Sequence, residues 1–302
     1  MKTLKKSLFV VLTVFLSFAF FSIFAACSND TKEDDKGTTV TNKEGQGDSG
    51  TKTYFGTRAP TESKAVGDIV FSDGSATPYS EGLTLTSAQK SAAVAIIFYA
   101  GSSREILGQK ILGVGLANSQ GEQKKTLMWA AKDTTGYSTT FTDIQCNQYT
   151  STPTDSSVYY KYTYRDGVSY KTGYVSGDFD GSDNWTKICA TDTNASETAM
   201  TNYPIFNWVN NYAATNLLTG DYDSGWYLPS IVELHIIYDN KELVNAAIEK
   251  TGGVKIENEQ YWSSSEEGIT IFHYAEYVNF SDGSIATWPK NYSRSVCAIR
   301  EF

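Results

Sequence analysis

The chain opens on a basic start at Lys2, Lys5 and Lys6, runs apolar over residues 8–24, and reaches the small pair Ala25-Ala26. This is the layout of a secretory signal over residues 1–26. The pattern then reverses, because Val40 is the one apolar side chain of residues 28–53, amid Asp, Glu, Lys, Gly, Thr and Ser. Such a stretch cannot bury enough surface to offset the entropy of ordering it. Residues 27–53 are therefore expected to form a disordered tether, with a mean span of roughly 30 Å. Apolar runs at 65–71, 92–99, 111–117 and 126–130 predict buried strands in a folded part over residues 54–302. The first run breaks at Asp73-Gly74, a hairpin signal. Phe71-Ser72-Asp73-Gly74-Ser75 returns as Phe280-Ser281-Asp282-Gly283-Ser284, which predicts two hairpins of one sheet.

Between these copies the periodicity changes twice. Tyr160, Tyr162, Tyr164, Tyr170 and Tyr174 flank Asp166-Gly167, with Lys161, Arg165 and Lys171 interleaved. This reads as an amphipathic hairpin, although aromatic and basic residues so mixed would also suit a ligand platform. Ile205, Val209, Tyr212, Ala213 and Leu217 then follow a three-to-four spacing behind Pro204 and predict a helix over 204–217. Ser230 and Glu233 form a capping box ahead of Leu234, Ile237 and Tyr238. A third helix is predicted over 241–250, stopped by Gly252-Gly253. Strands resume at 260–264, 269–280, 284–288 and 295–301, with Pro289-Lys290-Asn291 as a loop. Strands, two or three helices and strands again give an α+β order.

Composition sharpens the class. With 302 residues there is material for one large domain or two small ones, and 20 Tyr, 15 Phe and 24 Gly suit strands joined by tight turns. A net charge of -9 and a sequence pI near 4.8 exclude a nucleic-acid partner, which would need clustered Lys and Arg.

Candidate chemistry is sparse. Phe24-Ala25-Ala26-Cys27 resembles a bacterial lipobox, in which Cys27 becomes the lipid-modified first residue and anchors the protein to a membrane. The alternative is ordinary signal cleavage that leaves Cys27 a thiol. Asp178, Asp180 and Asp183 lie in a Gly-containing loop of the kind that could hold a structural calcium, without the closing acid of an EF-hand. Gly113 and Gly115 lack the rest of a phosphate loop, and no Gly-x-Ser-x-Gly is present. Glu266-Glu267 could serve as an acid/base pair, but adjacent loop carboxylates need not share a cleft. His235 and His273 stand in no zinc-like spacing, and His235 is expected on a helix surface or packed. Downstream of the signal, Cys146, Cys189 and Cys297 are an odd number of thiols, so at least one has no partner within the chain.

Four ordered motifs carry a family resemblance: Gly225-Trp226-Tyr227-Leu228-Pro229-Ser230, Tyr261-Trp262-Ser263-Ser264-Ser265-Glu266, Phe280-Ser281-Asp282-Gly283-Ser284 and Cys297-Ala298-Ile299-Arg300. Over residues 202–302 the chain resembles the C-terminal domain of the Lcl collagen-like adhesins and its lipoprotein relatives. The resemblance implies a C-type lectin-like fold: a twisted antiparallel sheet with first and last strands paired, two or three helices on one side, and here a Tyr-rich β insertion. It also implies a Cys189–Cys297 disulfide, with Cys146–Cys189 as the rival. Calcium-dependent members hold sugar through Glu-Pro-Asn or Gln-Pro-Asp with Trp-Asn-Asp, and none of these occurs here. Formylglycine-generating enzymes on the broader fold use paired cysteines, whereas this region has Cys297 alone, so no catalytic residue carries over. A ligand face is expected where the last strands and loops meet: Trp262, Glu266, His273, Tyr274, Asn279, Trp288, Lys290, Asn291, Tyr292 and Arg294. The expected function is a non-enzymatic lipoprotein of the outer membrane or cell surface, binding a glycan or extracellular protein, as in adhesion. A structural envelope role without a small ligand is the alternative, and an enzyme comes third.

Overall fold

In the computed structural model, which describes residues 53–121, 125–268 and 273–302, the strand signals resolve into two large sheets and a short ribbon. In chain order the elements are β1 (Asp68–Phe71), β2 (Ala76–Pro78), α1 (Ser87–Ala92), β3 (Ala93–Ala100), β4 (Ile111–Asn118), β5 (Leu127–Met128) and α2 (Thr135–Ser138). Then come β6 (Gln145–Tyr149), β7 (Tyr160–Asp166), β8 (Ser169–Gly177), α3 (Asn184–Thr191), α4 (Ala195–Asn202), α5 (Pro204–Asn210) and α6 (Tyr212–Thr215). The chain finishes with α7 (Ile231–Asp239), α8 (Lys241–Thr251), β9 (Gln260–Glu267), β10 (Tyr274–Asn279), β11 (Ile285–Pro289), β12 (Ser293–Arg294) and β13 (Cys297–Glu301). The first sheet has the order β13-β4-β3-β1-β2, the second β11-β10-β9-β6-β8-β7, and β12 pairs with β5.

This is an α+β fold, but it is not the lectin-like one. The second sheet is mixed, since β6 runs parallel to β9 while its other pairings are antiparallel. The first strand lies between β3 and β2, and the last pairs with β4, so first and last strands are not partners. Eight α-helices are present among the described residues, where two or three were expected. The two Phe-Ser-Asp-Gly-Ser copies do form turns, at β1–β2 and β10–β11, but of different sheets. The Tyr-rich hairpin is no appendage either: β8 joins β6, and β6 joins β9, so it extends the sheet that carries the C-terminal motifs.

Strand alternation gives each large sheet two buried faces. Ile96 and Phe98 of β3, Tyr261 of β9, Val278 of β10 and Ile299 of β13 enter one core, together with α7 and α8. Their neighbours Ala95, Ile97, Trp262, Tyr277 and Ala298 enter the other, with Trp129, Phe206 and Tyr212. Helix α7 touches both sheets, through β3 and through β9 and β10. That explains why residues 231–237 are all buried, a helix apolar nearly all round.

The start of α7 is fixed by the C-terminal motifs. Ser230 Oγ accepts from Glu233 N, while Glu233 Oε2 accepts from Ser230 N at 2.8 Å and Gly181 N at 3.0 Å. A Cβ at Gly181 would lie 2.5 Å from Leu228 O, so only glycine permits this approach. The run Ser263-Ser264-Ser265 sits where the β9–β10 register shifts. Ser263 Oγ donates to Glu276 O, Ser264 N donates to Pro229 O, and Ser265 Oγ accepts from Ile231 N. The motif serines therefore join a strand to a helix start.

Candidate functional site

The ten residues of the expected ligand face divide into core, turn and surface. Trp262 is buried beside Tyr277, and its Nε1–H donates to Tyr292 O at 3.2 Å. Glu266 and Lys290 form a buried ion pair. Lys290 Nζ also donates to Gly136 O at 3.0 Å and Thr139 O at 2.9 Å, and Glu266 Oε2 accepts from Phe141 N at 2.7 Å. Burial pushes the Glu266 carboxyl up and the Lys290 ammonium down, while each opposite charge works against the other's shift. With the rings of Trp129 and Phe141 on the ammonium at 4.7 and 5.1 Å, the pair staples residues 136–141 to β9. Asn279 holds the β10–β11 turn, bonding Asp282 Oδ2 and accepting from Ser281. His273 stacks on Tyr137 with centroids 5.4 Å apart and stands next to the ring of Tyr274.

Trp288 and Tyr292 remain exposed, at 44% and 52%, and their rings meet edge to face at 5.8 Å. The turn residue Asn291 lies between them in the chain, and Tyr292 N closes the turn on Pro289 O. Beneath lies Arg294, with its guanidinium 3.8 Å from the Tyr277 ring centre, 4.8 Å from that of Trp262 and 5.8 Å from that of Trp288. It is paired with Gln260, yet its buried Nε has no hydrogen-bond partner. Strand β11 is a sheet edge, so the platform stands at the open side of the second sheet.

The calcium and disulfide expectations are corrected by what these groups already hold. Asp178 Oδ2 accepts from Lys187 at 3.1 Å, Asp183 Oδ1 lies 2.8 Å from the same ammonium, and Asp180 Oδ2 meets Lys110 at 2.6 Å. The three carboxylates are spent on lysines, and among the described residues no group of three or more acids, histidines or cysteines could hold a metal ion. Cys146, Cys189 and Cys297 are free thiols. Cys146 donates to Asp178 O from the second sheet, Cys297 pairs with Asn118 on the first, and Cys189 belongs to α3 in the other core. Burial pushes every one of these thiols up, Cys297 to about 12, which favours the protonated form. His235 is fully buried, its Nε2 on Gly283 O and its Nδ1 on the Tyr160 hydroxyl, both at 3.1 Å. Cys27 lies outside the described residues.

Two further concavities lie away from the expected ligand face. A groove of about 300 Å³ is lined by Ser182, Gly225, Trp226, Tyr227, Arg300 and Glu301, and a smaller hollow of about 120 Å³ continues it past Trp185 and Phe206. Its donors are already engaged within the fold: Trp226 Nε1 on Tyr222 O, the Tyr227 hydroxyl on Glu233, and Arg300 Nη1 on Ser224 O. The Trp226-Tyr227 motif, introduced through the family resemblance, is thus partly a groove wall. The other, about 180 Å³, opens among Gln148, Tyr149, Tyr162 and Tyr164 of the Tyr-rich strands. Its signal in the sequence is the Tyr-rich run that would also suit a ligand platform, whereas the buried acid behind it, Glu276, has no such signal. No protein-family model, no curated protein and no solved structure matches the chain.

Proposed function

We propose that the protein is an exported, lipid-anchored and non-enzymatic binding protein whose folded part takes a carbohydrate on the Trp288–Tyr292 platform. The observation that carries this reading is the exposed ring pair backed by Arg294. Large apolar side chains are costly to leave in water, and here Tyr292 is held by the turn on Pro289 and by a hydrogen bond from Trp262 to its carbonyl, and Trp288 by the Arg294 guanidinium 5.8 Å from its ring centre. Perpendicular rings offer stacking faces to the C–H surface of a sugar, and the turn residue Asn291 between them is at hand for its hydroxyls. The anchor rests on the basic start, the apolar run and Cys27. Mass spectrometry of the purified protein should find a diacylglyceryl group on Cys27. Intact residues 1–26 would sink the anchor.

An array of glycans and extracellular matrix proteins, probed with the full chain in detergent, tests the binding reading. Saturable glycan binding that Trp288→Ala and Tyr292→Ala abolish, with circular dichroism unchanged, supports it. Binding confined to the protein spots would change the ligand class. Silence across the array would overturn the proposal in favour of a structural envelope role.

A further inference from the structure

The second sheet curls until its edges approach. Arg165 N, at the far end of edge strand β7, donates to Asp282 O in the β10–β11 turn at 2.8 Å. The space so enclosed is the cavity of about 180 Å³, with Gln148 and Tyr149 from β6, Tyr162 and Tyr164 from β7, Thr172 and Gly173 from β8, and Ile285 from β11. It is smaller than the roughly 300–1,000 Å³ of drug-sized sites and suits a compact headgroup. Gly173 leaves room for the Tyr162 ring, since a Cβ there would lie 2.3 Å from it.

Behind the cavity wall stands a buried acid. Glu276 is opposite Thr287 on β11, two residues along the strand from the Val278–Ile285 pair, so its side chain leaves the sheet on the cavity's face. Gln148 Nε2 donates to Glu276 Oε1 at 2.9 Å. Glu276 Oε2 is sealed from solvent and has no hydrogen-bond partner. Such a half-satisfied carboxyl is costly to ionise unless a positive charge stands nearby. Among the described residues no Lys or Arg lines the cavity, and Lys171, opposite Tyr164 on the hairpin, is paired with Asp166 in solvent.

We propose that this cavity is a binding site for a small organic cation, an alkylammonium headgroup held by the Tyr149, Tyr162 and Tyr164 rings and by the charge of Glu276. Aromatic faces attract a cation through their negative quadrupole, and desolvation strengthens the attraction. A carboxylate one layer behind supplies the countercharge without demanding a hydrogen-bond donor from the ligand. The site is independent of the Trp288–Tyr292 platform, which lies on the other face of β10 and β11. That face is set by Ala275 opposite Trp288.

The groups around Glu276 set the pH dependence. Burial raises its carboxyl to about 8, Glu267 adds to that shift, and Gln148 opposes it. Cys146 and Tyr162 are pushed up by their own burial and stay neutral near pH 8. Cation binding should therefore release one proton from Glu276 below about pH 8 and tighten as the pH rises to that point.

Titration of the full chain in detergent with choline chloride, read from tyrosine ring resonances, tests the proposal. The neutral isostere 3,3-dimethyl-1-butanol is the control. Saturable choline shifts, an affinity about tenfold lower in Glu276→Gln at pH 8.5, and a weaker response to the alcohol are expected. Should Glu276→Gln not fold, Tyr164→Ala must weaken choline several-fold while Tyr164→Phe, which keeps the π face, must not. Equal binding of the alcohol, or no saturable choline shift, would overturn the proposal.

Discussion

Two glutamates, on neighbouring strands and opposite faces of one sheet, are buried to the same degree and treated differently. Glu266 of β9 faces the core that holds Trp129 and Phe141, while Glu276 of β10 faces the one that holds Cys146 and Tyr162. Glu266 has an ammonium on one oxygen and a backbone N–H on the other, and its lysine is itself completed by two carbonyls. Glu276 has an amide on one oxygen and nothing on the other. Burial raises both carboxyls, but only Glu276 lacks a cation to oppose the rise. A closed network of this kind fixes structure, whereas an open one leaves a valence for something that arrives later. By sequence Glu266 resembles ligand chemistry, yet in the fold it is a staple. Glu276 has the sequence setting of an ordinary strand residue, yet it carries the unfilled position.

Breaking the staple gives the largest expected effect. Lys290→Met leaves the Glu266 carboxylate buried against Trp129 without its countercharge, and should cost about 3–5 kcal/mol in denaturant unfolding. Adding Glu266→Leu should return much of that loss, because two apolar side chains are better tolerated there than one orphaned charge. A double variant no more stable than Lys290→Met would show that the pair is needed as an ion pair.

The open glutamate should respond with the opposite sign. Folded Glu276 keeps its proton to about pH 8, against an ordinary value of 4.5. Between these values the unfolded chain binds fewer protons than the folded one, so this group lowers stability as the pH rises, and the loss is complete above about pH 8. Glu276→Gln keeps the shape and removes the ionisation. It should stabilise the protein by about 2–3 kcal/mol at pH 8.5 and have little effect near pH 4, where the carboxyl is neutral in both states. Unfolding midpoints across that range check both the sign and the window. A variant destabilised at pH 8.5 would show that Glu276 is held as a carboxylate by partners in the fold.

The contrast also explains what the sequence could disclose. Alternation and turns placed β1, β3, β4 and the β7–β8 hairpin, and the capping box and Gly252 bounded α7 and α8, because those signals are local. Helix α4 escaped because its residues are largely Thr, Ser, Asn and Ala with few apolar positions to mark a face, and α3 because Trp185, Ile188 and Cys189 span too short a stretch to declare a period. The single helix expected over 204–217 is interrupted at Asn211, which ends α5 and begins α6. The lectin-like architecture failed at a different level, that of pairing between distant strands. Nothing near Cys146 announces that β6 lies parallel to β9, or that β13 seeks β4. Of the expected ligand face, Trp288, Asn291, Tyr292 and Arg294 gather in one place. Glu266 and Lys290 are absorbed by residues 136–141, whose approach depends on the same distant packing.

The smallest effect on stability belongs to the platform. Trp288 and Tyr292 are about half in water already, so truncation forfeits only the covered part of each ring and the edge-to-face contact between them. Tyr292→Ala should cost no more than about 1 kcal/mol, since the bond from Trp262 Nε1 goes to the Tyr292 carbonyl and survives the change. Trp288→Ala should cost about the same, because Arg294 retains its closer stack on Tyr277. A loss several times larger in either variant would identify the ring as a structural element like Trp262. It would also move the search for a ligand from this edge of the sheet to the cavity on its other face.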